Sequence, residues 1–171
     1  MDQENKETVV LGMISRGHSK FDKISRESKI EPEELESILQ KLENSGLIKV
    51  EEEKGWMGTK IEIKPTDEGY REFERQLKSL QNKWNDLENT YKSGNKLELE
   101  QKLKDDRSLL PTMMMFGIID IMMFSMMFSM IGASMGSFIP AEDMQGMDDG
   151  SGDMGDSGMG DDGGFDIDIG F

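Results

Sequence analysis

Cysteine is missing from the 171 residues, histidine occurs once and proline only four times. Without cysteine there is no disulfide, no thiolate metal site and no thiol nucleophile, whichever compartment holds the chain. The single histidine, His18 in "SRGHSK", lies between two apolar helical patterns and reads as a solvated loop residue. Metal and acid–base chemistry are therefore badly supplied, and no catalytic constellation is visible. The sequence describes a binding protein, with no enzyme activity, cofactor or metal expected.

Basic charge is also missing from one end. The net charge of -15 divides into 18 acids and 13 bases over residues 1–75, 6 and 7 over 76–108, and 11 acids with no base over 109–171. Most of the acidity is thus a tail. The start, "MDQENKETVV", has no basic region followed by a long apolar run, so a secretory signal is not expected and the first domain is expected in the cytoplasm.

Val9, Val10, Met13 and Ile14 recur at helical spacing and Gly17 ends that pattern. Ser19 and Asp22 read as a capping pair for a short second helix that buries Phe21 and Ile24. A third helix opens at Pro32, carries Leu35, Ile38, Leu39 and Leu42 on one face, and stops at Gly46. The period then changes: "LIKVEEEK" and "TKIEIKPT" alternate apolar with charged residues around "GWMG", predicting a hairpin with Trp56 and Met57 near its tip.

Three helices followed by a hairpin are the elements of a winged helix. With "LENSGLIKVEEEKGWMGTKIEIKPTDEGYREFE", residues 6–75 resemble the winged helix-turn-helix regulators of the MarR and PadR kind; the remainder resembles no family. The expected fold class is α+β, mainly α. It divides into a winged helix domain (1–69), a helical stalk (70–110), a methionine-rich hydrophobic helix (111–139) and a disordered, acidic Gly/Asp-rich tail (140–171). The resemblance implies a DNA-binding transcriptional regulator, although winged helices also bind proteins.

Along the stalk, Tyr70, Phe73, Leu77, Leu80, Trp84, Leu87 and Tyr91 alternate at spacings of three and four, which predicts a coiled-coil seam and a homodimer. The plainer alternative is a long helix packed back on its own domain.

Residues 113–131 hold eight methionines, four isoleucines and three phenylalanines. As one helix they would span about 28 Å, close to the roughly 30 Å of a bilayer core. Lys102, Lys104 and Arg107 precede the segment and no base follows it, so a transmembrane helix over 113–135 would leave the tail outside. Ser125, Ser129, Gly132 and Gly136 would lie on its close-packing stripe, and Asp120 would oppose insertion.

The soluble alternative is a chaperone-like face that grips apolar protein helices, similar only in composition to the signal-sequence-binding domain of the signal recognition particle. Either role falls to Met113, Met114, Phe116, Ile118, Met122, Met123, Met126, Met127 and Met130. Burial in the protein's own core is disfavoured, because the small first domain offers too little surface to cover a segment apolar on nearly every side.

In the tail, Met144, Met147, Met154 and Met159 are soft donors, but the histidines that accompany methionine in copper-handling stretches are missing, and copper is not expected. No window satisfies the EF-hand spacing.

For nucleic acid the third helix is poorly equipped, since Glu31, Glu33, Glu34 and Glu36 crowd its first turns. The better candidates are Lys20, Lys23, Arg26 and Lys29 on the second helix, Lys41 on the third, and Lys54 and Lys60 on the hairpin. The leading expectation is a dimeric, membrane-associated winged-helix regulator of transcription. The alternative is a protein-binding adaptor or chaperone-like factor.

Overall fold

The computed structural model describes residues 3–55 and 58–139, of which 52–55 and 58–60 are described through backbone pairing. Trp56 and Met57, and residues 140–171 with the expected disordered tail and its methionines, lie outside the described residues. In chain order the elements are α1 (Gln3–Ser15), α2 (Phe21–Ser28), α3 (Pro32–Asn44), β1 (Ile48–Gly55), β2 (Gly58–Pro65), α4 (Asp67–Lys92), α5 (Lys96–Asp105), α6 (Leu110–Met115) and α7 (Ile121–Ile131), then a single 3-10 turn at Met135–Ser137. The described chain is mainly helical with one two-stranded antiparallel sheet, as expected at the level of fold class.

Val9, Val10, Leu11, Met13 and Ile14 bury the second half of α1 on every side, so that part of the helix sits in the centre. It packs on α2, α3, α4, α6 and β2. Gly17, at φ +95°, stops it. His18, expected in solvent, is half-buried: Nδ1 lies 3.0 Å from the Met13 carbonyl and Nε2 2.7 Å from the Glu27 carboxylate, so the ring joins α1 to α2. The expected Ser19–Asp22 capping pair does not form; Lys20 occupies the cap without a side-chain bond.

Strand alternation puts Ile48 and Val50 of β1 and Ile61 and Ile63 of β2 on one face, with Val50 opposite Ile63. The Ile63 amide donates to the Ser19 carbonyl at 2.9 Å and fixes the base of the hairpin to the loop before α2. At the entry to α4, the Thr66 hydroxyl accepts from the Gly69 amide at 3.0 Å and donates to the Gly46 carbonyl at 2.7 Å. A Cβ at Gly69 would lie 2.0 Å from the Leu47 carbonyl oxygen. Only glycine lets α4 approach the segment before β1 so closely, which is the physical content of the Thr-x-x-Gly pattern.

The methionine-rich segment corrects the transmembrane expectation: no described helix is long and apolar enough to cross a membrane, and anchoring through 113–135 is not supported. The segment breaks in two. Gly117, at φ +69°, ends the six-residue α6, and Asp120 caps α7 by accepting the Met123 amide at 2.8 Å. The eleven residues of α7 reach about 16 Å before Gly132 turns left-handed at φ +73°. Gly136 lies in the 3-10 turn, so the expected small-residue stripe keeps only Ser125 and Ser129 on the helix.

The cations that would have oriented a span serve the fold instead. Lys102 lies 2.8 Å from Asp86 and 3.1 Å from Glu98, Lys104 2.7 Å from Glu100, and Arg107 Nε donates to the Phe138 carbonyl at 3.1 Å.

Candidate functional site

The face of α3 turned away from α1 carries Glu33, Glu36, Ser37, Gln40 and Glu43, all exposed. It forms one wall of an open groove of about 640 Å³, whose other wall is the apolar face of the hairpin. Deep in the groove Leu39 and Ile63 belong to the core, while Phe21 closes one end half-buried. Farther out the apolar row runs past its cover: Val50 is 39% and Ile61 54% exposed. Period-two alternation makes the row continuous, so the groove is an extension of the core face into solvent.

Three acids near this wall have lysine partners. Glu34 is held by Lys6 at 2.7 Å, Glu7 by Lys41 at 2.5 Å and Glu51 by Lys64 at 2.8 Å. Lys64 also lies 3.3 Å from Glu62, and its pKa is raised above 10.5, first by its hydrogen bond to Glu51 and then by that to Glu62. Among the described residues no lysine or arginine engages the side chain of Glu33, Glu36 or Glu43.

The expected nucleic-acid residues fall into separate groups. Lys20, Lys23, Arg26 and Lys29 are exposed along α2 or at its ends, interrupted by Asp22 and by Glu27, which lies 3.9 Å from Lys23. Lys29 occupies the left-handed C-cap at φ +56°. Lys41 points away from the α3 groove to Glu7 on α1. The side chains of Lys54 and Lys60 lie outside what is described, although their backbones pair with Thr59 and Glu53.

All seam residues of the stalk but Tyr70 are at least partly covered within the chain. Phe73, Leu80, Trp84 and Leu87 are buried, Leu77 and Tyr91 half-buried, and Tyr70 exposed. Trp84 meets Phe124 edge-on at 6.1 Å, and α5 packs against both α4 and α7.

In the methionine-rich segment Met113, Phe116 and Met127 are buried, and Met114, Ile118, Met123 and Met130 half-buried. Met122 and Met126 stay in solvent at 71% and 47% exposure, one turn apart beside Ile121. Self-burial, disfavoured from the sequence, holds for much of the segment because two short helices can each turn one face inward where one long helix could not.

No cluster of histidine, cysteine, aspartate or glutamate among the described residues could hold a metal ion. Sequence reasoning missed the α3–hairpin groove. Its signal was present in the alternation of Val50 with Ile48 and of Ile61 with Ile63, which extends the apolar face beyond the reach of α3. Comparison with protein-family models, curated proteins and solved structures finds no match.

Proposed function

We propose that residues 3–92 form a winged helix that works as a protein-binding adaptor rather than as a reader of duplex DNA. The order of three helices, hairpin and long helix supports the fold. One observation carries the function: the outward face of α3, which in a DNA reader would enter the major groove, presents three carboxylates that no cation pairs among the described residues, beside exposed Val50 and Ile61. Carboxylates against a phosphate-lined groove are repelled, and exposed aliphatic side chains there gain nothing from it. The same pair of features suits a protein surface. Met122 and Met126 add a second apolar surface whose flexible thioether chains can repack against protein partners.

A DNA-binding regulator is the second reading, favoured by exposed Lys20, Lys23 and Arg26 on α2. Fluorescence anisotropy with a labelled mixed-sequence duplex at about 50 mM salt separates the two, since phosphate contacts are strongest there. The adaptor reading expects no saturable binding. Saturable binding that falls steeply with salt, and that Lys23→Glu with Arg26→Glu removes, would overturn it.

A further inference from the structure

We infer that the α3–hairpin groove is the seat of a cationic amphipathic helix from a partner protein. The inference rests on the protein-binding reading and gives that partner its chemistry. The apolar side of the incoming helix would cover Val50 and Ile61, and lysine or arginine along its edge would reach Glu33, Glu36 and Glu43.

Two independent features of the groove call for such a ligand. The hairpin wall leaves two aliphatic side chains largely in water next to a completed core, and a helix laid in the groove removes them from solvent. The α3 wall holds carboxylates with no counterion among the described residues, whereas nearby Glu7, Glu34 and Glu51 each have a lysine. An apolar ligand alone would leave those charges unanswered, and a basic ligand without an apolar face would leave Val50 and Ile61 wet.

Charge also decides against the occupants nearest to hand. Residues 109–171 carry 11 acids and no base, so the chain's own C-terminal part is repelled by this wall. A second copy brings the same unpaired carboxylates and a net charge of -15, which opposes groove-to-groove pairing. Its size, about 640 Å³, lies in the range of ligand pockets, but the groove is open and so fits the side chains of a helix better than an enclosed small molecule.

Titration calorimetry of the full chain with a 16-residue helical peptide tests the assignment. The probe carries leucine at helical spacing on one face and lysine on its edges. One control replaces lysine by glutamate, and a second replaces leucine by serine. Only the leucine–lysine peptide should bind. Val50→Asp with Ile61→Asp makes the groove more acidic, yet it should weaken binding by about tenfold or more, because the apolar contact is lost. Glu36→Lys with Glu43→Lys should weaken it comparably and admit the glutamate peptide.

All four side chains are exposed, so the variants should keep the fold, checked by circular dichroism. Failure of the leucine–lysine peptide to bind, equal binding of the leucine-free peptide, or undiminished binding to the Val50 and Ile61 variant would overturn the groove assignment. Any of these with no duplex binding would leave the adaptor reading standing, whereas saturable duplex binding would remove that reading itself.

Discussion

Phe73 of α4 and Phe116 at the end of α6 meet edge-on, ring centroids 5.2 Å apart, directly over Gly12 of α1. Arg16 completes the cluster: its guanidinium lies 4.8 Å from the Phe116 ring centre and donates to the Phe116 carbonyl at 3.2 Å. Arg16 and Phe116, a hundred positions apart in sequence, are joined here, and Asn5 repeats the tie by donating to the Ser108 carbonyl at 3.1 Å. The C-terminal helices are thus part of the same core as the N-terminal ones.

A methyl group at Gly12 would stand 2.4 to 2.6 Å from atoms of both rings. Alanine is the better helix former, so propensity alone would make Gly12→Ala stabilising by about 1 kcal/mol. We expect the reverse, a loss of about 1–3 kcal/mol, because two buried rings must shift. Urea unfolding monitored by tryptophan fluorescence measures the difference, and a stabilised variant would show that α6 does not pack here.

Asp120 and Gly117 separate two opposed accounts of the methionine segment. In a continuous apolar helix, removing the charge and the glycine would favour the helix. Here Asp120→Ala removes the cap of α7, at a cost of about 0.5–2 kcal/mol, and Gly117→Ala forces an L residue to φ +69°, at about 1–2 kcal/mol. Both variants should melt below the parent in a calorimetric scan.

Lys102 of α5 bridges to α4 through Asp86 and pairs within its own helix with Glu98, and its hydrogen bond to Asp86, then that to Glu98, raises its pKa above 10.5. The group is protonated more readily folded than unfolded, so its contribution is fully present below pH 10.5 and is lost as pH rises through the folded value. Lys102→Met should lower the melting temperature at pH 7. The gap from the parent should narrow in melts taken above pH 10.5, and a constant gap would assign the effect to packing alone.

Much of the fold was legible locally. Pro32, Gly46 and the period change after it mark α3 and the hairpin without any tertiary information, because caps and strand alternation are written within a few residues. The row from Tyr70 to Tyr91 was equally legible as a buried face, but spacing cannot name what covers it, and Phe116 and Phe124 come from far along the chain. In the methionine segment the length and composition of 113–131 outweighed a local signal that was present. Gly117 followed three residues later by Asp120 is a helix stop and a helix start, and Asp120, counted as a penalty to insertion, is a cap. The candidate groove was not legible for a different reason: in the sequence Glu33 and Glu36 look no different from Glu34, and which of these acids has a lysine partner is settled only by tertiary pairs such as Lys6–Glu34 and Lys41–Glu7.

Amide chemical-shift mapping on one isotope-labelled sample of the full chain, titrated first with the leucine–lysine peptide and then separately with a mixed-sequence duplex, bears most directly on whether this is a protein-binding module. The peptide should move resonances of Ser37, Gln40, Val50 and Ile61 along the groove, and the duplex should move none. Shifts at Lys20, Lys23 and Arg26 on adding duplex, with the groove silent to peptide, would contradict it and return α2 to the role of a phosphate-binding helix.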